Sequence, residues 1–585
     1  MPKTQQTNLR CTIDGKDISV AAGTTILQAA KKTGIPVPTL CHHPDLPVSG
    51  SCRLCLVEIE GRDGLFASCT TPVEDGMVIR TASESISRAR KINLELLFAQ
   101  HTEECKDCVL QPNCTLLSLA REYKVPIARF QDRKKDYPVY QFGPSIQFDS
   151  RKCIDCGNCI AVCKKQGVGF LETKKHKTWH ETMPSADKDK DCVYCGQCIV
   201  HCPVGAFEAV GEFEDVEQCL SDKSKTVVFQ FAPSIRSSIG EEFGLPSGSI
   251  VTEQLVGAIK ALGVPYVFDT SVGADVTTIE EAGELVERLE SGEQLPMFTS
   301  CCPAWVRYVE LHHPKYISNL TTIRSPHIIL GSIIKQFWAP EQKRKPEDIT
   351  VVSVMPCTSK KYEITRKELF HGALKPVDYV LTTRELAFLL HKKRIDMSKV
   401  KKQHPDNPLG IPSGAGVIYG ASGGVMESAL RTAYERITGK KLAKLDFTDV
   451  RGQQGVKRAR VHINKKTVNV AVVNGLGNIH IIFDELAKNP HAYDYIEVMS
   501  CPGGCIGGGG QPIPTNQKIR EQRAQSLYDI DYATSVRTAH ENPFVQTLYK
   551  KFISEHASEL CYTTFSPSKK IHLRLFYDIT SISSN

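Results

Sequence analysis

The sequence predicts a multidomain chain in which three small cysteine-rich modules lead into one large α/β domain. Three observations predict it. At 585 residues the chain is too long for a single core, and about four domains are usual at that length. Its 23 cysteines gather in groups, most of them before residue 210. From about residue 216 the pattern changes to short buried-strand stretches alternating with helical ones. The expected divisions are 1–84, 85–140, 141–215 and 216–585.

Composition bounds the chemistry. The chain is 41% hydrophobic and 23% charged, an ordinary globular balance. No apolar run reaches the ~18 residues of a membrane span. Met1–Arg10 has no apolar core, so it is not a secretory signal, although Lys3 and Arg10 without an acid leave a transit peptide open. The Asn113 and Asn319 sequons then say nothing about glycosylation. A net charge of +7 is mild for a nucleic-acid binder and fits an acidic protein partner. So many cysteines in a large chain without an export signal point to metal or redox chemistry, not disulfides.

The first module opens with β-like segments at Leu9–Ile13 and Lys16–Val20. A helix follows over Thr25–Lys32, entered from Gly23-Thr24 and stopped by Gly34 and Pro36. Cys52 and Cys55 form a chelating C-x-x-C, and Cys41 and Cys69 close a four-thiolate set. Zinc is the competing occupant. His42 and His43 would suit Rieske-type ligation, but four cysteines already suffice, so both read as polar loop residues. A strand pair, a helix and a cysteine-rich loop in this order resembles plant-type ferredoxins, which implies a β-grasp fold and a 2Fe–2S cluster. The long gap after Cys41 departs from the plant spacing. It is similar instead to the N-terminal domain shared by the large Fe–S subunit of complex I and by FeFe hydrogenases.

The second module begins with a helical pattern over Ser85–Ala99, with Ile86, Ala89, Ile92, Leu96 and Leu97 on one side. His101, Cys105, Cys108 and Cys114 follow within fourteen residues, enough to bind a metal. On spacing alone structural zinc with Cys₃His ligands is open. The spacing also resembles the His-Cys₃ 4Fe–4S site of the same two families.

The third module carries Cys153, Cys156, Cys159 and Cys163, repeated 39 residues later as Cys192, Cys195, Cys198 and Cys202, then Pro203. This is the two-cluster bacterial ferredoxin pattern, in which each fourth cysteine ligates the other cluster. One 4Fe–4S cluster is therefore assigned to Cys153, Cys156, Cys159 and Cys202, the other to Cys192, Cys195, Cys198 and Cys163. Lys164 stands where a proline usually follows the first run. Cys11, Cys219 and Cys561 have no matching partners and read as ordinary thiols.

In the large domain the expected strands are Thr226–Phe231, Pro265–Phe268, Pro296–Thr299, Thr350–Val354, Asn469–Val473 and Tyr495–Met499. Three of them run into cysteine stretches, and open α/β sheets place ligands at the carboxyl ends of strands. Those stretches carry Cys301 and Cys302, then Cys357, then Cys501 and Cys505, the last pair set among six glycines. Glycine lets backbone pass close to something bulky. Five thiols are one more than a cubane needs, so the fifth is idle or a proton donor. Lys360 and Glu363 put a cation and an acid beside Cys357, which suits an anionic ligand and not zinc. The tail from about 515 reads as helical through Asn542–Glu555, then irregular, docked on the outside.

The three stretches resemble the signature loops of FeFe hydrogenases, and the likeness covers nearly the whole chain, in the multi-cluster clostridial arrangement. It implies that Cys302, Cys357, Cys501 and Cys505 hold the cubane of an H-cluster. Cys505 would bridge to a di-iron unit carrying CO, cyanide and an amine dithiolate, and Cys301 would pass protons. Lys360, Ala232, Pro233, Ser234 and Ser325 would surround the cyanides, with Met355 and Met499 against the di-iron unit and Glu363 beside it. A proton route would run through Glu281, Glu284, Arg288 and Thr321, residues that otherwise read as a solvated helix face. Three positions depart from the family. Thr321 stands for the usual Ser, His327 for a Gln near the diatomic ligands, and Tyr419 for a Phe.

The resemblance implies reversible H₂ oxidation and proton reduction, with one 2Fe–2S cluster, three accessory 4Fe–4S clusters and the H-cluster. It further implies ferredoxin or a similar small carrier, maturation factors, a monomer, and a cytoplasmic or hydrogenosomal location. Three other readings compete. A complex I or formate-dehydrogenase-type input subunit has no use for Cys301, Cys302, Cys357, Cys501 and Cys505. An Fe–S assembly scaffold lacks the N-terminal wiring. A hydrogen sensor wants a sensory domain.

Overall fold

The structure, a computed structural model, describes residues 8–101, 105, 108–110, 113–126, 134, 137–175, 180–406, 409–464, 466–568 and 574–576. At the N-terminus Asn8–Ile13 (β1) and Lys16–Ala21 (β2) form a hairpin. Its two-residue turn, Asp14-Gly15, has both φ values positive, as the turn that matches strand twist requires. Leu56–Ile59 (β3), Phe66–Ala67 (β4) and Met77–Arg80 (β5) complete a sheet of order β2-β1-β5-β3-β4, with β1 and β5 parallel at its centre. The Ile26–Lys32 helix is capped by Thr25 and Gln28 in a reciprocal capping box. It packs Ile26, Ala29 and Ala30 against Ile13, Val57 and Ile79.

The next helix, Glu84–Phe98, buries only part of the stripe expected of it, Ile86 and Leu97. Ile92 and Leu96 are 37% and 43% exposed, while Arg90 and Glu95 are buried. Arg90 donates to the carbonyl oxygens of Leu54, Leu56 and Thr81. Unpaired loop and strand carbonyls select a guanidinium there, a demand that apolar periodicity does not carry.

The ferredoxin-like module pairs Val139–Phe142 (β6), Ile146–Asp149 (β7) and Phe207–Ala209 (β10), with the hairpin Leu171–Lys175 (β8) and His180–Pro184 (β9) beside them. The C-terminal strand Arg574–Phe576 joins the edge of β6. Short helices, Asn158–Lys165 and Gln197–Val200, follow the cysteine loops, each entered by a left-handed glycine, Gly157 or Gly196.

The large domain holds two four-stranded sheets. Thr226–Phe231 (β11), Tyr266–Asp269 (β12), Ile349–Met355 (β14) and Tyr379–Thr382 (β15) form one, all parallel, in the order β12-β11-β14-β15. Met297–Phe298 (β13), Val456–Ile463 (β16), Lys466–Asn474 (β17) and Tyr495–Met499 (β18) form the other, in the order β13-β18-β17-β16, with only β16 antiparallel. The six expected strands are all present. β15 is too short to announce itself, and β16 reads as polar because this edge strand keeps Arg458, Arg460 and His462 on a face in water.

The tail does not merely dock outside. Arg523, Leu527 and Asp531 of the Gln517–Ala533 helix are fully buried. Arg523 pairs with Glu241 and donates to the Ile506 carbonyl oxygen, and Asp531 pairs with Arg431. Buried charges survive only when paired like this, so the tail is part of the core of the domain. Among the described residues no helix is long and apolar enough to cross a membrane.

Candidate active site

The carboxyl ends of β13, β14 and β18 deliver the three cysteine stretches to one buried pocket, and the end of β11 adds Ala232, Pro233 and Ser234. Cys301, Cys302, Cys357, Cys501 and Cys505 all line it, with Lys360, His327, Tyr419, Met355 and Met499. Ser325 and Glu363 line a smaller cavity beside it, together with Ser300 and Thr563.

The electrostatics fit a metal cluster. Cys302, Cys357, Cys501 and Cys505 are near enough to feel one another's charge. Burial first, then the Cys357 and Cys302 charges, pushes the Cys501 thiol well above its usual range and Cys505 to about 12. Such thiols ionise together only against strong positive charge, which metal ions supply. Ser234 Oγ and Ser325 Oγ are buried with no protein partner. Buried hydroxyls ordinarily have one, so both are suited to a polar ligand.

The glycines serve more than cluster clearance. A Cβ at Gly508 would lie 2.1 Å from the Pro356 carbonyl oxygen, and one at Gly509 would lie 2.5 Å from Gly196 Cα. Gly504, at φ +87°, would place its Cβ 2.7 Å from the Ser422 backbone nitrogen. The loop is thus packed backbone against backbone, onto the Cys357 loop and onto the ferredoxin-like module.

Lys360 Nζ donates to Glu363 Oε2 at 2.7 Å and to the Cys301 carbonyl oxygen at 3.1 Å. Burial opposes both charges, but each holds the other ionised, and Glu363 stays near 2. Tyr419 turns its hydroxyl to Thr278 Oγ1 at 2.9 Å, which in turn meets Ser428 Oγ at 2.8 Å.

The acidic helix face is not solvated. Glu281 is 1% exposed and Arg288 is 6% exposed. Burial raises the Glu281 carboxyl to about 8, despite the Tyr495 hydroxyl that donates to it at 2.5 Å. Burial and then the Glu281 charge push the Cys301 thiol far up, so it is a protonated donor at neutral pH. Glu284 Oε2 accepts from Thr321 Oγ1 at 2.9 Å and from the backbone nitrogen of Thr322 at 3.0 Å, and pairs with Arg288. Tyr495 and Thr322 were not singled out by sequence. Nothing in the β18 pattern distinguishes Tyr495 from a core aromatic, although Thr322 directly follows a residue that was named.

Comparison with known proteins agrees with this geometry. Residues 225–509 match the iron-only hydrogenase large subunit, C-terminal domain family. Residues 6–84 match a 2Fe–2S cluster binding domain, 152–206 a 4Fe–4S dicluster domain, and 517–567 the iron hydrogenase small subunit. Iron hydrogenase 1 of Clostridium pasteurianum is 37% identical over 93% of this chain and 96% of its own length. The chain belongs to the FeFe hydrogenase family. The NADP-reducing hydrogenase subunit HndD of Solidesulfovibrio fructosivorans is 39% identical over 94% of this chain and 97% of its own. The apo FeFe-hydrogenase HydA1 of Chlamydomonas reinhardtii superposes with a TM-score of 0.55 at 36% identity, covering 60% of this chain and 98% of that one. The protein is therefore a hydrogenase that interconverts H₂ with protons and electrons, using iron–sulfur clusters and an H-cluster. The part of the tail that matches the small-subunit family is the part that the fold buries.

The other thiol groups of the hydrogenase lead away from the pocket in contact. Cys198 feels the charges of Cys192, Cys195 and Cys163, while Cys159 feels those of Cys153, Cys156 and Cys202. The first of these groups abuts the catalytic loop. Gln197 Nε2 donates to the Gly507 carbonyl oxygen at 3.0 Å, Gln166 Nε2 to that of Ser500 at 2.7 Å, and Thr358 Oγ1 to that of Tyr194 at 2.8 Å. The second group touches both outer sites. His101 Nδ1 meets the Lys152 carbonyl oxygen at 2.8 Å. The charge of Cys41 reaches Cys156. Cys41, Cys52, Cys55 and Cys69 lie buried together. His43 is more than a loop residue, its ring 4.2 Å from that of His201 in the ferredoxin-like module.

Proposed function

We propose that this hydrogenase works as a monomer that exchanges electrons with a small acidic carrier of the ferredoxin type. The observation that carries the reading is the unbroken sequence of buried groups from one pocket. Five thiols and Lys360 lie at its centre, the acidic line leads one way and the cysteine relay the other. Cys302, Cys357, Cys501 and Cys505 would hold the cubane of the H-cluster, with Cys505 shared with a di-iron unit inserted by maturation factors. When bound, that cofactor supplies the open iron and the basic amine at which H₂ is split heterolytically. The chain supplies the rest. Lys360 offers a cation to the cyanide ligands, with Ser234 and Ser325 as neutral donors. Met355 and Met499 exclude water from the apolar side. Cys301 would hold a proton at the pocket wall beside the cofactor, and Glu281, Glu284, Thr321 and Arg288 would line its way outward.

Electrons take the other direction. The Cys192 set would hold the cluster nearest the pocket, and the Cys153 set the next, from which the His101 site and the Cys41 site would branch. The full complement is then one 2Fe–2S cluster, three accessory 4Fe–4S clusters and the H-cluster.

An infrared spectrum of the anaerobically matured protein tests the reading. Bands of metal-bound CO and cyanide that shift under H₂ are the expected result. A blank spectrum from protein whose other clusters are loaded, with maturation working on a control, rejects it. The carrier has its own test. Turnover with ferredoxin should fall as ionic strength rises past ~0.1 M, where charge steering is screened. Salt-independent turnover favours the other arrangement, suggested by the NADP-linked relative, in which partner subunits take the electrons.

A further inference from the structure

His327 stands in the pocket wall, and its hydrogen bonds fix what it can do there. The His327 carbonyl oxygen only accepts, so the Gln230 side chain must turn its NH₂ toward it, at 2.9 Å. The Gln230 oxygen, correspondingly, takes Thr270 Oγ1 at 3.3 Å. The same NH₂ reaches Ser353 Oγ at 2.8 Å. Ser353 Oγ receives that proton, and its own O–H is free for His327 Nδ1, 3.2 Å away. Nδ1 is therefore the acceptor, and the single proton of the neutral ring sits on Nε2. Nε2 lies 2.6 Å from Glu363 Oε2, the oxygen that also accepts from Lys360 at 2.7 Å. The ring is 1% exposed, and burial and the Lys360 charge keep it neutral. Lys360 has three N–H groups, and Glu363 and the Cys301 carbonyl oxygen take two.

We infer that His327 is a positioning residue: both ring nitrogens are held by protein side chains, and through Glu363 it aims the remaining N–H of Lys360 at the bound ligand. This rests on the reading of the pocket given above and departs from what the family resemblance suggests for this position, a direct contact with the diatomic ligands. Here the side chain would act at one remove, and the Gln230–Ser353 pair behind it belongs to the same device. A neutral ring with a fixed tautomer suits the task, because a charged imidazolium would compete with Lys360 for the same carboxylate oxygen.

Two measurements test the inference. H327F keeps the bulk and removes both nitrogens. S353A removes the hydroxyl that fixes the tautomer and touches nothing in the pocket. In the matured enzyme both variants should shift the same cyanide-stretching bands in the same direction, with H327F shifting them further and lowering turnover about tenfold. H327Q, which keeps a donor for Glu363, should recover much of that loss. A band that H327F moves and S353A leaves in place would mean that His327 touches the ligand itself, and the inference falls. The second measurement needs no di-iron unit. In the cluster-loaded but unmatured chain, unfolding midpoints of H327F, E363Q and the double variant should be non-additive, the double losing less than the sum. Additive losses overturn the His327–Glu363 link. A blank infrared spectrum would reject the functional reading, while this cycle still decides the contact.

Discussion

The electron relay and the catalytic pocket bury the same residue type, and they are built on opposite plans. In the relay, ligands sit close in sequence: Cys153 to Cys202 brings two sets together on two short loops and their returning cysteines. The loop glycine Gly157 is left-handed and has nothing within 4 Å of where a Cβ would stand. In the pocket, the thiols come from three strand ends spread over 301–505, and Gly504, Gly508 and Gly509 have other backbone within 3 Å of where a Cβ would stand. The relay is specified locally, by spacing and turn conformation. The pocket is specified by two sheets arriving at the same place. Gly196 shows where the plans meet, since it belongs to a relay loop yet presses on Thr358 and Gly509 of the pocket.

The largest effect that follows separates two single-methyl substitutions. Gly508→Ala puts a Cβ 2.1 Å from the Pro356 carbonyl oxygen, and neither backbone can rotate away. The Cys357 and Cys501–Cys505 loops must then part, and the variant should lose turnover along with a cubane's ~4 iron atoms per chain. Gly157→Ala meets only its own left-handed conformation, φ +78°, and should cost about 1–2 kcal/mol. Its iron content and turnover should stay near wild type. Iron assay, H₂ evolution and unfolding of the pair decide it, and equal behaviour would dissolve the distinction between the two regions.

A second test uses charge in place of volume. Glu281 is a carboxyl that burial raises to about 8, against 4.5 in the unfolded chain. The folded state therefore binds the proton more tightly, and stability falls as pH rises from about 4.5 through about 8. Glu281→Gln should lower turnover by roughly 10²-fold or more, the scale of a lost proton-transfer group. The same variant should unfold less readily than wild type above pH 8, by an amount on the order of a few kcal/mol. A turnover loss without that gain in stability would mean that Glu281 is ionised in the fold, with a partner other than Tyr495.

These contrasts also explain what could be read without coordinates. The dicluster module is legible because iron–sulfur ligation constrains cysteine spacing directly, and the 4Fe–4S dicluster domain match spans both runs. Strands β11, β14 and β18 are legible because both faces are buried and the runs are continuously apolar. The Glu84–Phe98 helix was misread because its inward face answers to carbonyl groups of other segments through Arg90. The depth of the tail is not legible because its first helix buries Arg523 and Asp531 beside Leu527, and charged residues read as surface until their partners make them interior. In the pocket, Lys360 and Glu363 stand out by sequence, but the tie from Glu363 to His327, 36 residues away, does not. Nor does the reach of Tyr495 to Glu281 across 214 residues. Spacing encodes chemistry done by neighbours, whereas burial and long-range pairing encode the rest.

The smallest expected effect lies at the far end of the relay. Cys41 is 2% exposed and its charge reaches Cys156, while His101 approaches the same cluster set through the Lys152 carbonyl oxygen. If the two outer sites that meet one inner set act as the proposed parallel branches, losing one leaves a path. Cys41→Ser is nearly isosteric and should remove the 2Fe–2S signal from the electron paramagnetic resonance spectrum. With a small dye as electron acceptor, H₂ oxidation should stay within about twofold of wild type, because the dye can also be served by the other clusters. With the protein carrier the loss measures how much current leaves through this branch. A Cys41→Ser enzyme that fails with dye as well would show that the 2Fe–2S site stands in series with the pocket. The docking of the 41–46 loop onto the rest of the chain, through Asp45 and Arg520 at 2.7 Å, would then be the route by which a local site acts at long range.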